Sequence, residues 1–163
     1  MWPEPVERVA AHLRTLAVPA TIQEFPDGTP TARDAAREVG CRLEQIVKSL
    51  VFVSHGRFIL ALVPGDRRAD ESRVAAVVGL ADLRVATADE VMTATGFQPG
   101  AVAPFPCPAV TAVVMERALL RVPRVWIGAG SPFHMAEVAP SDLQRLTSAT
   151  VAGLSVSRDG RID

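Results

Sequence analysis

Two apolar runs that lie close together constrain the fold more than any other feature of this chain. The segments Leu50–Val53 and Phe58–Val63 contain only apolar residues, and the four residues 54–57, which include His55 and Gly56, separate them. Runs rich in Val, Ile and Phe favour strands, and a short segment with a glycine between two such runs is typical of a turn. The pattern therefore predicts a β-hairpin.

Helix and strand patterns alternate irregularly through the rest of the chain. Strand patterns occur at 20–25, 83–86, 110–115, 125–128 and 133–138. Helical spacing and end signals predict helices at 6–16, 32–39 and 141–146, a helical turn at 43–47, a helix after Asp70, and another between Thr87–Glu90 and Gly96. This mixture predicts an α/β (α+β) fold with a mixed, largely antiparallel sheet, curled or closed into a partial barrel, and helices packed outside.

Residues that typically begin or end regular structure define several boundaries of helices and loops. Thr31 is in position to cap the helix at 32–39, and Gly40 to end it. Pro64–Asp66 predicts a turn. The segment 97–108 contains four prolines, each lacking the N–H of regular structure, so we expect a rigid loop there.

Size and charge limit the classes of protein that this chain can represent. Its 163 residues, 48% hydrophobic, suffice for one buried core, so we expect a single domain over 1–163. A net charge of -1 argues against coating long stretches of duplex and against DNA as a partner, because such binding neutralises many phosphates. Gripping one end of an RNA remains compatible with it.

Segment and cysteine patterns indicate the compartment. No apolar run reaches the roughly 18 residues of a membrane span, and the N-terminus lacks a signal-peptide pattern, so we expect a cytoplasmic protein that does not engage a membrane. Cys41 and Cys107 lie far apart without His or Cys at ligand spacing. We therefore expect two reduced thiols, no metal site and no cofactor.

Lys48 is the only lysine in the chain, and every other basic side chain apart from histidine is arginine. A lysine ammonium is a compact charge whose pKa shifts readily on burial, whereas the arginine fork is planar and permanently charged. Because this sequence uses arginine elsewhere, we interpret Lys48 as a functional residue. The alternative is a stem that only covers apolar surface.

The histidines and glycine segments supply further candidates. His12, on the polar face of the first helix, and His55, in the hairpin turn, are expected to be solvated. His134 follows the glycine segment Gly128–Gly130 and is a candidate pocket residue. That segment and Gly100–Pro104 can bring backbone N–H groups close to a ligand oxygen, although each can also be a simple turn.

Taken in order, these motifs resemble the YbaK/EbsC family, relatives of the editing domain of bacterial prolyl-tRNA synthetase. The resemblance is strongest over 20–151. It is carried by Thr31, Ala35-Ala36, Gly40, Gln45–Phe52, Pro64–Asp66, Thr95–Phe97, Gly100, Pro104, Gly128–Gly130 and Pro140–Leu143.

The resemblance implies a deacylase that hydrolyses the ester of wrongly charged tRNA in trans, with Lys48 matching the essential lysine and Gly100 the loop glycine. The implied partners are the aminoacyl-tRNA acceptor end and an aminoacyl-tRNA synthetase. The substrate-binding set that we expect is Thr31, Ser49, Gly100, Ala101, Pro104, Gly128, Ala129, Gly130 and His134. Arg33, Arg37, Arg67 and Arg68 are candidates for RNA contact.

The residues themselves are compatible with such chemistry. An aminoacyl ester needs little activation, and the neighbouring ribose hydroxyl can help to position water, so no serine-type triad is required. The hypothesis is that Lys48 holds the terminal phosphate or the ester while backbone N–H groups near Gly100 and Gly128 stabilise developing negative charge.

Two departures from the family pattern keep alternatives open. Phe105-Pro106-Cys107 replaces a stretch with glycine and histidine, and Met135 stands where some relatives have an acidic residue. A module that binds a tRNA end or a nucleotide without turnover is the main alternative. A domain acting only through protein contacts is a third reading.

Overall fold

The computed structural model describes residues 1–158, which form five α-helices and ten strands. The helices are α1 Glu4–Thr15, α2 Ala32–Val39, α3 Glu71–Val78, α4 Ala88–Thr95 and α5 Pro140–Thr147, with 3₁₀ turns at Leu43–Gln45 and Arg117–Arg121. The strands are β1 Thr21–Glu24, β2 Val47–Ser54, β3 Arg57–Pro64, β4 Arg67–Ala69, β5 Arg84–Val85, β6 Val110–Glu116, β7 Val125–Ser131, β8 His134–Val138, β9 Thr150–Ala152 and β10 Ser155–Ser157.

The predicted hairpin is confirmed and lies in the largest sheet. Strands β2 and β3 pair in antiparallel fashion from Val47 opposite Pro64 to Ser54 opposite Arg57. The turn therefore consists of His55 and Gly56 alone, both with positive φ (47° and 79°), as a type I′ turn requires. The turn is shorter than the four residues 54–57 that the sequence suggested, because Ser54 and Arg57 still pair with each other.

Three sheets make up the strand framework. The largest has the order β5-β2-β3-β6-β9, the second β1-β8-β7 and the smallest β10-β4. Five neighbouring pairs are antiparallel and two are parallel, which confirms the mixed, largely antiparallel class. A parallel bridge between Ile46 and Trp126 joins the two larger sheets. The curled form and the domain limits 1–163 stay predictions.

The core covers both faces of the hairpin. Leu60 and Leu62 of β3 pack into one cluster with α1, β7 and the 97–108 loop, while Ile59, Ala61 and Val63 pack into another with α3. Burying one such side chain contributes about 1.5–3 kcal/mol to folding. A strand buried on both faces explains why the apolar run is continuous rather than alternating.

Most predicted helix boundaries are confirmed. Thr31 Oγ1 accepts a hydrogen bond from Asp34 N at 3.0 Å, and Gly40 ends α2 with φ 74°. Asp70 caps α3, and Thr87 with Glu90 forms the expected capping box of α4. The final helix differs, because Pro140 opens it after Ala139, which provides no side-chain cap.

Some local predictions were wrong. The apolar run of the first predicted strand began at Leu50, which left Lys48 just before it, but Lys48 lies inside β2 because Val47 already pairs with Pro64. His12 was expected in solvent, yet it is half-buried and its ring stacks on Phe105 at 5.2 Å. Helix α1 packs this face against the proline-rich loop, which remains free of helix and strand as predicted.

Candidate functional site

A cavity of about 250 Å³ opens where the two larger sheets approach each other. One wall is the start of β2, with Lys48 and Ser49, and the opposite wall is formed by β7 and β8. The 97–108 loop and the loop before α2 close the sides. The cavity therefore gathers residues from four separate parts of the chain.

The pairing of β2 explains why the cavity is there. Strand β2 has β3 along its whole length, but its other neighbour, β5, pairs only with Phe52 and Val53. Residues 47–50 consequently have no full strand partner on their outer edge. These residues line the cavity.

Lys48 lines this cavity, and its side chain is held at the ammonium group by a hydrogen bond. The residue is half-buried, and its ammonium donates a hydrogen bond to the carbonyl oxygen of Arg67. Burial, and to a lesser extent Arg158, lower the pKa of Lys48, while Asp66 opposes that shift. An ammonium has three N–H donors, so two remain for a ligand once Arg67 has accepted one.

Ser49 contributes an unsatisfied hydroxyl to the same wall. Its Oγ is buried and has no hydrogen-bond partner among residues 1–158. A buried hydroxyl without a partner is unfavourable, commonly by about 1–3 kcal/mol. A ligand atom that bonds to this hydroxyl would remove the penalty.

Glycines let the backbone approach the cavity closely. A Cβ on Gly128 would lie 2.5 Å from the carbonyl oxygen of Val102, so β7 contacts the proline-rich loop only because this residue has no side chain. Gly100 has a φ of 82°, which favours glycine. The N–H of Ala101 already donates to Gln98, whereas that of Gly100 has no acceptor within the described residues.

His134 is fixed by its neighbours at the far wall. It is only 5% exposed, its Nδ1 lies 2.6 Å from Ser131 Oγ, and Trp2 contacts its ring edge-to-face at 5.3 Å. Ser131 Oγ also accepts from Phe133 N at 3.0 Å. The imidazole therefore has a defined orientation in the cavity wall.

The cavity brings together half of the residues expected from the sequence. Lys48, Ser49, Gly100, Gly128 and His134 line it. The others do not line it: Thr31 is exposed and its hydroxyl caps α2, while Ala101, Pro104, Ala129 and Gly130 are buried. A Cβ on Gly130 would lie 2.7 Å from the carbonyl oxygen of Pro5, so this glycine serves packing against α1.

Several lining residues were missed by the sequence interpretation. Thr29 and Pro30 directly precede the predicted Thr31, and Val102 lies inside the predicted segment Gly100–Pro104. Their proximity to predicted residues was the available signal. Ser131 directly follows the predicted Gly130 and so carried the same signal, and in the structure its hydroxyl contacts His134.

Other candidates lie outside the cavity. His55 is exposed, as expected, and its Nε2 is 3.2 Å from Asp82. Arg37 pairs with Asp34, and Arg67 is engaged by Ser155, while Arg33 and Arg68 are exposed. No cluster of three potential metal ligands, and no helix capable of crossing a membrane, occurs in the described part of the chain.

A second, more apolar cavity of about 190 Å³ adjoins the first. It shares Ser49, Leu50, Gly100 and Val102 with the main cavity and extends towards β5 and α4. Ser49 therefore lies on the boundary between a polar and an apolar space.

Comparison with known proteins gives a consistent result. The family described as "Aminoacyl-tRNA editing domain" matches residues 27–146. A proline–tRNA ligase of Xanthomonas axonopodis pv. citri is 33% identical over 126 residues, which are 77% of this chain but 22% of the ligase. The uncharacterized protein YwhH of Bacillus subtilis is 29% identical over 131 residues, 80% of this chain and 83% of YwhH. The chain thus spans about a fifth to a quarter of the length of the first ligases that it matches.

Solved structures agree in fold. The crystal structure of a candidate trans-editing enzyme for prolyl-tRNA synthetase superimposes with a TM-score of 0.87 and 36% identity, covering 95% of this chain and 99% of that one. A hypothetical protein, APE2540, superimposes with a TM-score of 0.84 and 28% identity over 91% of this chain. The fold is therefore that of the YbaK-like editing proteins.

Proposed function

Since this chain belongs to the aminoacyl-tRNA editing domain family, we propose that it hydrolyses, in trans, the ester bond between a tRNA and a wrongly attached amino acid. The observation that carries the proposal is one cavity that contains an ammonium, an unpaired hydroxyl and two glycine backbones. This combination suits a charged, ester-bearing RNA terminus. The attacking nucleophile is then a water molecule.

Lys48 is assigned the role of positioning the aminoacyl-adenosine end. Its ammonium can bond a phosphate or the ester oxygen through the two N–H groups that Arg67 does not use. Partial burial strengthens such a charge-assisted bond because water competes less for both partners. Arginine is larger and planar, so it cannot replace an ammonium bound in this way.

Backbone amides are assigned the stabilisation of charge that develops on the ester oxygen. The N–H of Gly100 is unused by the described residues and belongs to a loop stiffened by four prolines. A preorganised donor of this kind is worth roughly 100- to 1,000-fold in rate. The close packing of Gly128 on Val102 holds this loop against β7.

Substrate assistance supplies the remaining step. The free hydroxyl of the terminal ribose lies next to the ester carbonyl, so it can orient the attacking water and pass a proton on to the leaving ribose oxygen as it receives one from that water. His134 and Ser49 offer further hydrogen-bonding groups for the ribose or the aminoacyl amine. No covalent enzyme intermediate is needed.

The preferred experiment is a deacylation panel. The purified chain is incubated at catalytic concentration with tRNAs that carry different noncognate amino acids, including mischarged proline tRNA, and the release of amino acid is measured. We expect multiple turnovers on at least one member of the panel. A chain that releases no amino acid from any mischarged tRNA would contradict the proposal.

The binding-only alternative is favoured by one observation, the replacement of the family glycine and histidine by Phe105-Pro106-Cys107. Phe105 is buried against His12, so the replacement supports packing of the loop rather than lining the cavity. Tight binding of aminoacyl-tRNA without release of amino acid would support this alternative.

A further inference from the structure

Glu116 is a buried carboxylate at the end of β6 that the proposed mechanism does not use. It is 3% exposed, and its Oε1 accepts hydrogen bonds from Leu154 N at 3.0 Å, Ser155 N at 3.1 Å and Ser155 Oγ at 2.6 Å. Its Oε2 accepts from Ala118 N at 3.0 Å. Three of these four donors belong to Leu154 and Ser155, so the buried carboxylate holds the start of β10 in a single position.

Ser155 connects Glu116 to Arg67 through hydrogen bonds. Its hydroxyl donates to Glu116 and accepts from Arg67 Nε at 2.7 Å, while its carbonyl accepts from Arg67 Nη2 at 2.9 Å and from Arg73 Nη1 at 3.0 Å. Ser155 is fully buried. The guanidinium of Arg67 is therefore attached to the same carboxylate through one serine.

Arg67 completes the connection to the cavity. Arg67 lies in strand β4, which pairs with β10. The carbonyl oxygen of Arg67 accepts a hydrogen bond from the ammonium of Lys48. The long stem of lysine has several rotatable bonds, and fixing them is entropically unfavourable. A rigid acceptor reduces the number of positions that the ammonium can occupy.

We propose that Glu116 and Ser155 are positioning residues for catalysis, which hold the carbonyl of Arg67 so that the ammonium of Lys48 stays at the cavity. The catalytic role of Lys48 in this inference rests on the proposed function. The connection itself runs through hydrogen bonds between residues of β6, β10, β4 and β2. The C-terminal strand is therefore part of the functional site without lining it.

The kinetic test uses Ser155→Ala, with Ser155→Thr as the conservative variant and Ser54→Ala as the matched control. Ser54 is a buried serine of β2 whose hydroxyl donates to the carbonyl of Ala81, and it lies six residues from Lys48, roughly 20 Å along the strand. We expect Ser155→Ala to lower kcat about tenfold with little change in KM, because a small displacement of a catalytic group lowers the rate steeply. Ser155→Thr should restore most of kcat, and Ser54→Ala should lower the melting temperature without changing kcat.

The second measurement observes Lys48 directly. Because Lys48 is the only lysine, protein labelled with ¹⁵N-lysine gives a single side-chain ammonium signal in NMR. We expect this signal to persist in the wild type and in Ser54→Ala, because the hydrogen bond to Arg67 slows exchange with water. In Ser155→Ala it should broaden or disappear.

The outcomes separate this inference from the proposed function. If Ser155→Ala keeps both the wild-type kcat and the Lys48 signal, the positioning role is wrong. An equal loss of kcat in Ser54→Ala and Ser155→Ala would also overturn it, since stability alone would then explain the effect. If the Lys48 signal is lost in Ser155→Ala but the wild type deacylates no tRNA, the connection to Lys48 stands and the proposed function fails.

Discussion

The two halves of strand β2 share one partner strand but differ in environment. Residues 51–54 are fully buried and pack into the core, whereas residues 48–50 are half-buried beside the cavity. The difference arises from the outer edge, where β5 pairs only with Phe52 and Val53. Strand β2 therefore packs into the core through residues 51–54, whereas residues 48–50 line the cavity.

This contrast shows how a rigid framework can hold reactive groups. The backbone of Lys48 and Ser49 is fixed by its pairing with Val63 and Leu62 of β3, so the side chains start from defined positions. Open space on the other edge leaves room for a ligand. Stability and activity should consequently respond to substitutions in different halves.

The largest expected effect is on stability, in the strand opposite the buried half. Leu60 is fully buried and paired with Val51. The substitution Leu60→Ala should lower the free energy of unfolding of the protein by about 2–5 kcal/mol. Because Leu60 does not line the cavity, the deacylation rate per folded molecule should stay unchanged. Urea unfolding and deacylation assays check both points, and a loss of rate per folded molecule would remove the distinction between the halves.

Lys48→Ala tests the open half. We expect deacylation to fall about 100-fold or more, equivalent to about 2.7 kcal/mol in the activation barrier, with the fold retained. Lys48→Arg should be almost as inactive despite its charge, because a planar fork cannot take the place of an ammonium. Full activity in either variant would exclude the assigned role of Lys48.

Gly128→Ala tests the wall facing Lys48. Its methyl group would meet the carbonyl oxygen of Val102 at 2.5 Å, so we expect a loss of about 1–3 kcal/mol in stability together with lower activity. Gly153→Ala is the matched control, because a Cβ there has no neighbour within 4 Å. Thermal unfolding of both variants makes the comparison, and equal tolerance of the two would argue against close packing of loop and strand.

Ser49→Ala should separate stability from activity. The variant removes a buried hydroxyl without a partner among the described residues, so we expect stability to be kept or raised by about 1 kcal/mol. Deacylation should fall if a substrate atom bonds to this hydroxyl. A variant that is less stable than the wild type would show that the hydroxyl is satisfied in the native protein.

The smallest expected effect is a pH dependence. Burial lowers the pKa of Lys48 below its ordinary value of 10.5, so the unfolded chain binds more protons than the native one in the window between the lowered and the ordinary pKa. The contribution of Lys48 to stability should therefore rise with pH through this window. Urea titrations of the wild type and Lys48→Met between about pH 8 and 10.5 should differ in slope, and identical slopes would contradict a lowered pKa.

Sequence reasoning recovered the local features and named five residues that line the main cavity. The hairpin, the caps at Thr31 and Asp70, and the unstructured proline-rich loop follow from residue types within a few positions of each other. Lys48 was identified by its uniqueness. Strands β4, β9 and β10 were missed, because segments of three residues carry no periodicity and form only by pairing with distant partners.

The candidate site shows the same difference between what local patterns predict and what distant contacts decide. Thr31, Ala101, Pro104, Ala129 and Gly130 belong to segments that reach the cavity, but they do not line it. Ser131 and Val102 face it instead. Which of two neighbours faces inward depends on register, and a local pattern does not specify register in a glycine-rich strand.

The amino-acid sequence by itself determined that this chain forms a buried hairpin, capped helices and a stiff loop, because those elements depend on local propensity and backbone restriction. Only the tertiary structure decided that the edge of β2 stays open beside Gly128, that Arg67 contacts Lys48, and that Ser155 joins Arg67 to Glu116. These contacts join residues that are distant along the chain, and their energy depends on the relative placement of whole sheets.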